Sequence, residues 1–312
     1  MVVEPAQRSY RTWTSDSARW QAYRPRADDI VIATYPKSGT TWMQRIVGLL
    51  VFQTVEPIPV GEISVWLDFR LGASAAERLV QLEAQDHRRF LKSHTPFDGM
   101  PIYEGVKYIH VARDGRDTCL SYHNHNAGFT EATLDGLDRI GAQDELLRRP
   151  YPRPADDPRA FFAHWLNHGV GDDTDGAPFF SWFNFERTYW DARHRANVLM
   201  VHYRDLKLDL AGEMRRIADF LVIDVRRDLW PALIKAATFS EMQRDGAELH
   251  PMLGHVFRGG AARFFAKGEN ERWKGVLSDA DMAAFEAKER AELPPACAEW
   301  LRSGSLQPSQ ST

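Results

Sequence analysis

Within ten residues the sequence passes from an apolar strand into an amphipathic helix. This junction constrains the possible folds more than any other feature of the sequence. Residues 29–33 (DIVIA) are short, apolar and β-branched, as in a strand buried on both faces, and residues 43–52 carry apolar side chains at helical spacing. The loop between them includes Lys37 and the hydroxyl side chains of Ser38, Thr40 and Thr41. Because the first N–H groups of a helix are unpaired and carry partial positive charge, this loop is predicted to cradle a phosphate.

Other segments predict the rest of the sheet and its helices. Strands are predicted at residues 89–93, 107–112 and 197–203. Helices are predicted at residues 116–124, 159–170, 179–193, 207–221 and 280–292. Short apolar strands separated by helices predict an α/β fold of three layers, with a mostly parallel sheet flanked by helices. A ligand would then bind at the carboxyl ends of the strands.

The 312 residues are expected to form one domain, because no repeat or long linker divides them. Residues 1–23 are interpreted as an N-terminal extension and residues 303–312 as a disordered tail. The net charge of −4 argues against a nucleic-acid partner. Cys119 and Cys297 are too few for a disulfide framework. Without an apparent signal peptide or membrane-length apolar run, a cytoplasmic protein with no membrane partner is expected.

The order of residues in the loop disfavours two common nucleotide sites. An ATP-binding Walker A loop reads Gly-x4-Gly-Lys-Ser/Thr, whereas here Lys37 precedes Gly39. The Gly-x-Gly-x-x-Gly pattern of dinucleotide-binding folds is also absent from this loop. From the residues alone, a well-capped helix beside a chance lysine remains an equal alternative to a phosphate site.

Two further groups of polar residues follow predicted strands. Lys92 and His94 lie two residues apart, hence on one face if the strand persists, and His94 could act as a general base or be a purely structural histidine. Arg113 ends a strand and Ser121 lies about two helical turns further on, so both could face one anion. The alternative for Arg113 is an ion-pair network with its acidic neighbours.

Three histidines in one region, His110, His123 and His125, suggest a metal site at first sight. No carboxylate or cysteine joins them at the spacing of metal ligands, so no metal site is predicted.

In this order, the elements resemble the sulfotransferases that use 3′-phosphoadenosine 5′-phosphosulfate (PAPS). Residues 35–42 (YPKSGTTW) are similar to that family's 5′-phosphosulfate loop, and residues 92–94 (KSH) to its catalytic segment. Arg113 and Ser121 match the spacing of its 3′-phosphate site. Positions that match its other nucleotide contacts are Tyr203, Thr238, Phe239, Lys267 and Gly268. The resemblance covers about residues 24–300.

The resemblance implies a P-loop nucleotide-kinase-like fold and transfer of a sulfuryl group to an acceptor hydroxyl, leaving adenosine 3′,5′-bisphosphate (PAP), with no metal. It gives His94 the role of general base. Lys37 would stabilise charge on the bridging oxygen, and Lys92 would assist at the sulfuryl oxygens. The cofactor-binding loop would comprise Lys37, Ser38, Gly39, Thr40 and Thr41, followed by Trp42 against adenine.

The chain departs from the family pattern near its C-terminus. The first arginine of the family's Arg-Lys-Gly motif is Ala266 here, and the later glycine and aspartate are Glu271 and Arg272. We expect Arg258 or Arg263 to supply the missing charge. The family's short dimer motif is also broken, so the oligomeric state stays open.

The acceptor is the least determined part. Aromatic residues expected near the motifs are Trp66, Phe69, Phe97, Phe129, Phe257 and Phe264. They favour a small apolar phenol or alcohol, while a carbohydrate or a peptide tyrosine stays open. The alternative functions are an ATP-dependent, P-loop kinase-like phosphotransferase and a non-catalytic nucleotide-binding protein.

Overall fold

The computed structural model describes residues 1–305, and a parallel β-sheet lies at its centre. The strands are β1 (Val2–Glu4), β2 (Ile30–Ala33), β3 (Phe90–Ser93), β4 (Ile102–Tyr103), β5 (Lys107–Ala112) and β6 (Val198–His202). The parallel sheet has the order β3-β2-β5-β6, and β1 pairs with β4 in a separate antiparallel ribbon. The strands predicted at residues 29–33, 89–93 and 107–112 are therefore present, with bounds shifted by at most one residue.

Successive residues of the strands enter two different hydrophobic cores. In β2, Ile30 and Ile32 pack into one core, whereas Val31 and Ala33 pack into the other, and all four are fully buried. A strand that is buried on both faces needs helices on both sides of the sheet. The predicted three-layer α/β arrangement is confirmed.

The helices within residues 1–305 are mostly short. They are α1 (Thr40–Phe52), α2 (Val60–Ile63), α3 (Ala75–Glu83), α4 (Gly115–Asn126), α5 (Glu131–Gln143), α6 (Pro158–Asn167), α7 (Trp182–Ala192), α8 (Tyr203–Leu208), α9 (Leu210–Leu221), α10 (Trp230–Ala236), α11 (Phe239–Arg244), α12 (Gly246–Leu249), α13 (Leu253–Val256), α14 (Gly260–Phe264), α15 (Asp279–Glu292) and α16 (Pro295–Ser303). Short 3₁₀ helices cover Ser17–Ala22 and Phe97–Gly99. Within this described part, no helix combines the length and apolar character needed to cross a membrane.

Two predicted boundaries around residue 205 are wrong. The strand predicted to reach Tyr203 ends at His202, and Tyr203 begins α8. The helix predicted at residues 207–221 is divided between α8 and α9, because Asp209 leaves the helical conformation with φ −141°. The Asp209 carboxylate accepts a hydrogen bond from the Gly212 N–H at 2.8 Å and so begins a new helix.

Other differences lie at helix ends. The helix predicted at 159–170 ends at Asn167, and the one predicted at 179–193 begins only at Trp182. Ser181 caps the latter, its hydroxyl accepting from the Asn184 N–H at 3.0 Å. Helices α2, α3, α5, α10 to α14 and α16 were not predicted. In α5, Gly136 and Gly141 lower the helix propensity.

The segment interpreted as an N-terminal extension, residues 1–23, packs closely against the rest of the chain. Trp13, Trp20 and Tyr23 are almost fully buried in the cores on the two sides of the sheet. The predicted tail begins at Ser303, which is still the last residue of α16, and residues 306–312 lie outside the described residues.

Candidate active site

One cleft opens at the carboxyl ends of the parallel strands. It contains about 1140 Å³ of empty space, including the part open to solvent. Each strand of the sheet contributes a lining residue just beyond its last residues: Lys37 after β2, His94 after β3, Arg113 after β5 and Tyr203 after β6. The cleft therefore lies where the ligand site was expected, at the carboxyl ends of the strands.

The loop after β2 leaves the first N–H groups of α1 free. Lys37 and Gly39 both have left-handed backbone conformations, with φ 72° and 118°. A Cβ at position 39 would lie 2.9 Å from the Tyr203 ring, so only glycine allows this close approach. No side chain caps α1, and Thr40 and Thr41 line the cleft. Unpaired N–H groups at a helix N-terminus form a natural anion site.

Ser38 does not line the cleft, contrary to the sequence prediction. Its side chain is fully buried, with Oγ 3.5 Å from the Thr118 hydroxyl oxygen. Its backbone N–H already donates to the Tyr35 carbonyl at 3.2 Å. The left-handed turn at Lys37 points this residue into the protein.

Positive charge is concentrated on one part of the cleft, which we call the basic side: Lys37, Lys92, Arg113, Lys267 and Arg272. No carboxylate belongs to the described lining, although the whole chain has a net charge of −4. Burial, together with the charges of Lys92, Arg113 and Arg272, lowers the pKa of Lys37 to about 7. Burial similarly lowers the pKa of Lys92 to about 8. Such crowding of like charges favours an anionic ligand.

His94 is held by the end of β2. Its ring Nδ1–H donates a hydrogen bond to the Thr34 carbonyl oxygen at 2.6 Å. The lone pair of the neutral ring is therefore on Nε2. Burial and the charge of Lys92 keep the pKa of His94 well below its usual value, so the ring is neutral. The strand ends at Ser93, yet Lys92 and His94 both line the cleft. Both contact Trp66: the Lys92 Nζ lies 4.0 Å from the centroid of its ring, and the His94 ring centroid lies 4.8 Å from it.

Arg113 and Ser121 both line the cleft at its basic side, as predicted from their spacing. The Arg113 guanidinium lies over the Tyr203 ring, 4.4 Å from its centroid, and donates to the Glu269 carbonyl. Its Nε is buried without a hydrogen-bond partner among the described residues. A fixed guanidinium with an unused N–H group is suited to gripping an anion.

The structure does not bring Arg258 or Arg263 to the cleft. Arg263 donates to the Asn124 carbonyl at 3.0 Å, and Arg258 donates to the Ala127 carbonyl at 2.9 Å. Arg272 lines the cleft instead, with its backbone N–H bound to the Asp117 carboxylate at 2.8 Å. In the sequence, Arg272 was noted only as a departure from the family's aspartate. Its positive charge could have made it a candidate for the missing cation.

Of the remaining residues predicted to contact the nucleotide, some line the cleft and one does not. Trp42, Phe239, Lys267 and Gly268 line the cleft. Gly268 has φ 63°, and a Cβ there would lie 2.6 Å from the Phe239 ring, so the chain needs glycine at this contact. Thr238 does not line the cleft, because its hydroxyl caps α11 by accepting from the Glu241 N–H at 3.5 Å.

The lining also contains a set of aromatic residues, which we call the aromatic side: Trp66, Tyr122, Phe129, Phe179 and Phe264. It adjoins the basic side, because the Lys92 Nζ lies 4.0 Å from the Trp66 ring and the Lys37 Nζ lies 4.0 Å from the Phe264 ring. Three of the six predicted aromatic residues belong to it. Phe69 stacks on Trp66 at 4.0 Å and Phe257 on Phe129 at 5.4 Å, both in a supporting layer. Phe97 packs on Tyr189 within a core and does not line the cleft. Lining residues that were not predicted include Thr14, Tyr122, Asn124, His125, Tyr151, Phe179 and Phe265.

The three histidines weighed as metal ligands lie in different surroundings. His110 bonds to the Glu186 carboxylate at 2.8 Å in a core, and His123 bonds to the Ala155 carbonyl at 2.8 Å. His125 lies among phenylalanine rings beside the cleft. Over residues 1–305, no group of three or more histidine, cysteine or acidic residues has the geometry of a metal site.

Comparison with known proteins identifies the family. The family model described as a sulfotransferase domain matches residues 27–293. The chain belongs to the sulfotransferase family. This sulfotransferase is 32% identical over 309 residues to a glycolipid sulfotransferase of Mycobacterium bovis, covering 95% of the chain and 94% of the relative. It is 25% identical to luciferin sulfotransferase of Photinus pyralis, covering 85% and 72% respectively.

Solved structures agree on the fold. Mouse sulfotransferase SULT7A1 complexed with PAP superposes with a TM-score of 0.67 at 20% identity, over 92% of this chain and 93% of the other. Retinol dehydratase in a complex with retinol and PAP gives a TM-score of 0.66 at 21% identity, over 90% and 87%. The predicted family, its P-loop-like α/β fold and sulfotransferase activity are therefore confirmed, ahead of the kinase-like and non-catalytic alternatives.

Proposed function

We propose that this sulfotransferase moves the sulfuryl group of PAPS to a hydroxyl of an apolar acceptor. The observation that carries the proposal is the cleft itself, whose lining combines basic residues without carboxylates, aromatic residues and a neutral histidine. Structures of the same fold in complex with PAP support the choice of nucleotide. When bound, PAPS supplies an activated sulfuryl group.

The cleft residues fit such a nucleotide. The uncapped start of α1, with Lys37 and the hydroxyls of Thr40 and Thr41, would hold the 5′-phosphate. Arg113, Ser121 and Arg272 would hold the 3′-phosphate, and Arg272 would take the place of the family arginine that is Ala266 here. Aromatic residues suited to the adenine are Trp42, Tyr203 and Phe239.

His94 would take the proton of the acceptor hydroxyl on Nε2. The Thr34 carbonyl fixes the opposite nitrogen as the donor, so the ring presents its lone pair in one orientation. The positive charges that depress the pKa of His94 lie on the basic side, where phosphate oxygens would offset them. The base would therefore be stronger when the nucleotide is present than when it is absent.

Lys37 and Lys92 would provide positive charge near the reacting groups. Transfer of this kind resembles phosphoryl transfer, in which the protein chiefly positions the reactants and stabilises charge on the moving and leaving oxygens. Lys37 belongs to the phosphate loop and Lys92 lies two residues before His94, and both line the cleft, so both could approach the transferred group.

The acceptor would lie against the aromatic side. This wall suits a phenol or alcohol with an apolar body. A lipid that carries a sugar hydroxyl is a second candidate, because the relative at 32% identity is a glycolipid sulfotransferase. Transfer of labelled sulfate from PAPS to a panel of alkylphenols, long-chain alcohols and a glycolipid tests the proposal, with labelled ATP in parallel. Labelling from ATP alone, or from neither donor, would contradict it.

Nucleotide binding is expected to take up protons near pH 8. In the free protein the pKa of Lys37 is about 7 and that of Lys92 about 8, and nearby phosphates must raise both values. The protonated forms bind better, so PAP affinity should fall as pH rises above about 7, by about tenfold per pH unit for each proton taken up. Calorimetry at pH 8 in buffers of different ionisation enthalpy measures the uptake; proton release on binding would contradict the assignment.

Recognition of the 3′-phosphate is expected to depend on Arg113 and Arg272. Replacing either with alanine should weaken PAP binding about 10- to 100-fold, the value of about 1.5–3 kcal/mol for a hydrogen bond to a charged group. It should leave the affinity for 5′-AMP, which lacks the 3′-phosphate, almost unchanged. For Arg113→Ala, the KM for PAPS should rise far more than the KM for the acceptor.

Arg263→Ala is the matched control for Arg272→Ala, because Arg263 does not itself line the cleft and donates to the backbone carbonyl of Asn124, which is a lining residue. This control should bind PAP like the unmodified protein. If Arg263→Ala weakens PAP binding and Arg272→Ala does not, the assignment of Arg272 is wrong and the expectation from the sequence is restored.

A further inference from the structure

A second imidazole, besides that of His94, lies among the aromatic residues of the cleft. His125 lies on α4, one helical turn beyond Ser121, and lines the cleft. Its ring is surrounded by four other rings, with centroid distances of 4.8 Å to Phe257, 5.0 Å to Phe129, 6.1 Å to Phe264 and 6.1 Å to Tyr122. A phenylalanine could fill this space without a polar atom, so the imidazole needs a reason.

The hydrogen-bonding groups of His125 are not used by the protein. Nδ1 is buried and has no partner among residues 1–305. Other buried histidines differ: His110 bonds to the Ala33 carbonyl and Glu186, and His202 to the Leu301 carbonyl and the Arg204 N–H. His250 also has an unpaired Nε2, but it does not line the cleft. An unpaired buried polar group destabilises the protein, and a ligand group that bonds to it would remove that cost.

The imidazole of His125 is neutral. Burial and the positive charges of Lys37 and Lys92 keep its pKa well below the usual value. A neutral imidazole has one N–H donor and one lone pair, so it can bond to an uncharged hydroxyl, ether or carbonyl group. It gains little from a cationic group, which the nearby lysines would also repel.

His125 and His94 contact different aromatic residues of the lining. The Phe264 ring is 6.1 Å from the His125 ring and 4.0 Å from the Lys37 Nζ. His94 contacts Trp66 and Phe179 instead. A molecule with its reacting hydroxyl at His94 would therefore have to extend along the aromatic side to meet His125.

We propose that His125 determines acceptor specificity by hydrogen bonding to a second, uncharged oxygen of the acceptor, separated from the sulfated hydroxyl by an apolar spacer. The inference rests on the proposed function and narrows its substrate class to molecules with oxygen at both ends of an apolar body. No bond is made or broken at His125; it is a binding group only.

A matched pair of phenols tests the inference: 4-propylphenol and 4-(3-hydroxypropyl)phenol, which differ by one hydroxyl at the far end. Their affinities are measured by tryptophan fluorescence with saturating PAP, and kcat/KM is measured with PAPS. The unmodified protein should prefer the hydroxylated phenol. His125→Phe should reduce that preference about fivefold to tenfold, the usual value of one uncharged hydrogen bond.

Two further variants serve as controls. His123→Phe changes a histidine on the same helix whose Nε2 is bound to the Ala155 carbonyl outside the lining, and should keep the preference. His125→Gln restores an uncharged donor and acceptor and should recover part of it. The Kd for PAP shows whether each variant is folded; if His125→Phe fails this check, His125→Ala replaces it in the comparison.

The outcomes separate the two proposals. A preference that is equal in the unmodified protein and in the variant without the imidazole would overturn the role of His125, as would the absence of any preference in the unmodified protein. Both results would leave the proposed function intact if PAP binds and sulfate is transferred. Failure of the unmodified protein to bind PAP or to sulfate any phenol or alcohol would instead overturn the proposed function.

Discussion

Replacing His94 with alanine is expected to lower turnover about 10²–10⁴-fold while PAP still binds. This range is the usual contribution of general acid–base catalysis. The imidazole bonds to the Thr34 carbonyl through Nδ1 and lines the cleft, so its loss removes the lone pair on Nε2 without removing a phosphate contact. Single-turnover sulfation with saturating PAPS measures the rate, and calorimetry measures the Kd for PAP.

The acidity of the acceptor provides the control for His94. A general base helps most when the acceptor hydroxyl is a weak acid, with a pKa near 10 as in tyrosine. The loss in His94→Ala should therefore be smaller for 4-nitrophenol, a stronger acid, than for 4-propylphenol. Near-normal turnover in the variant would exclude His94 from the mechanism. An equal loss for both phenols would make it a positioning residue.

The strand–loop–helix junction could be predicted because its signals are local. Apolar β-branched residues, a glycine and a helical pattern follow one another at residues 29–52, and Lys37 before Gly39 separates this loop from an ATP loop. The orientation of Ser38 could not be predicted in this way. It depends on the left-handed backbone of Lys37 and on Thr118, which is 80 residues away in the chain.

The residues of the basic side could not be fully predicted either, because one of them is positioned by a contact between distant parts of the chain. Residue type and spacing indicated that a cation was missing at Ala266, but three arginines were near enough in sequence to replace it. Arg272 lines the cleft on a turn that Asp117 holds, because the Asp117 carboxylate accepts from the backbone N–H groups of Glu271 and Arg272. Such a contact, more than 150 residues apart, leaves no periodic signal.

The set of residues that line the cleft beside the aromatic side was the hardest part to predict. Thr14, Tyr151 and Phe179 line the cleft from the N-terminal segment and from two loops without helical or strand periodicity. Phe97 and Phe257 carry the same side-chain chemistry and lie outside the lining. Composition identifies residues able to form an apolar wall, and only the packing of loops decides which of them do so.

Replacing Lys37 with methionine is expected to lower kcat by about 10²–10³-fold at saturating PAPS, the usual loss for one preorganised electrostatic group. Methionine keeps a long apolar chain that can still pack on the Phe264 ring, where the Lys37 Nζ lies 4.0 Å from the centroid. The variant therefore removes the charge and disturbs little packing. Pre-steady-state quench experiments with a fixed phenol measure the chemical step.

Lys267→Met is the matched control, because Lys267 lines the same basic side but is assigned only to nucleotide binding. Its loss should raise the KM for PAPS and leave kcat nearly unchanged, since an interaction made equally before and during the reaction does not alter turnover. Lys37→Met should instead lower kcat by a larger factor than it raises the KM for PAPS. If both variants change only the KM for PAPS, Lys37 is a binding residue, and stabilisation of the leaving oxygen must come from the free N–H groups at the start of α1.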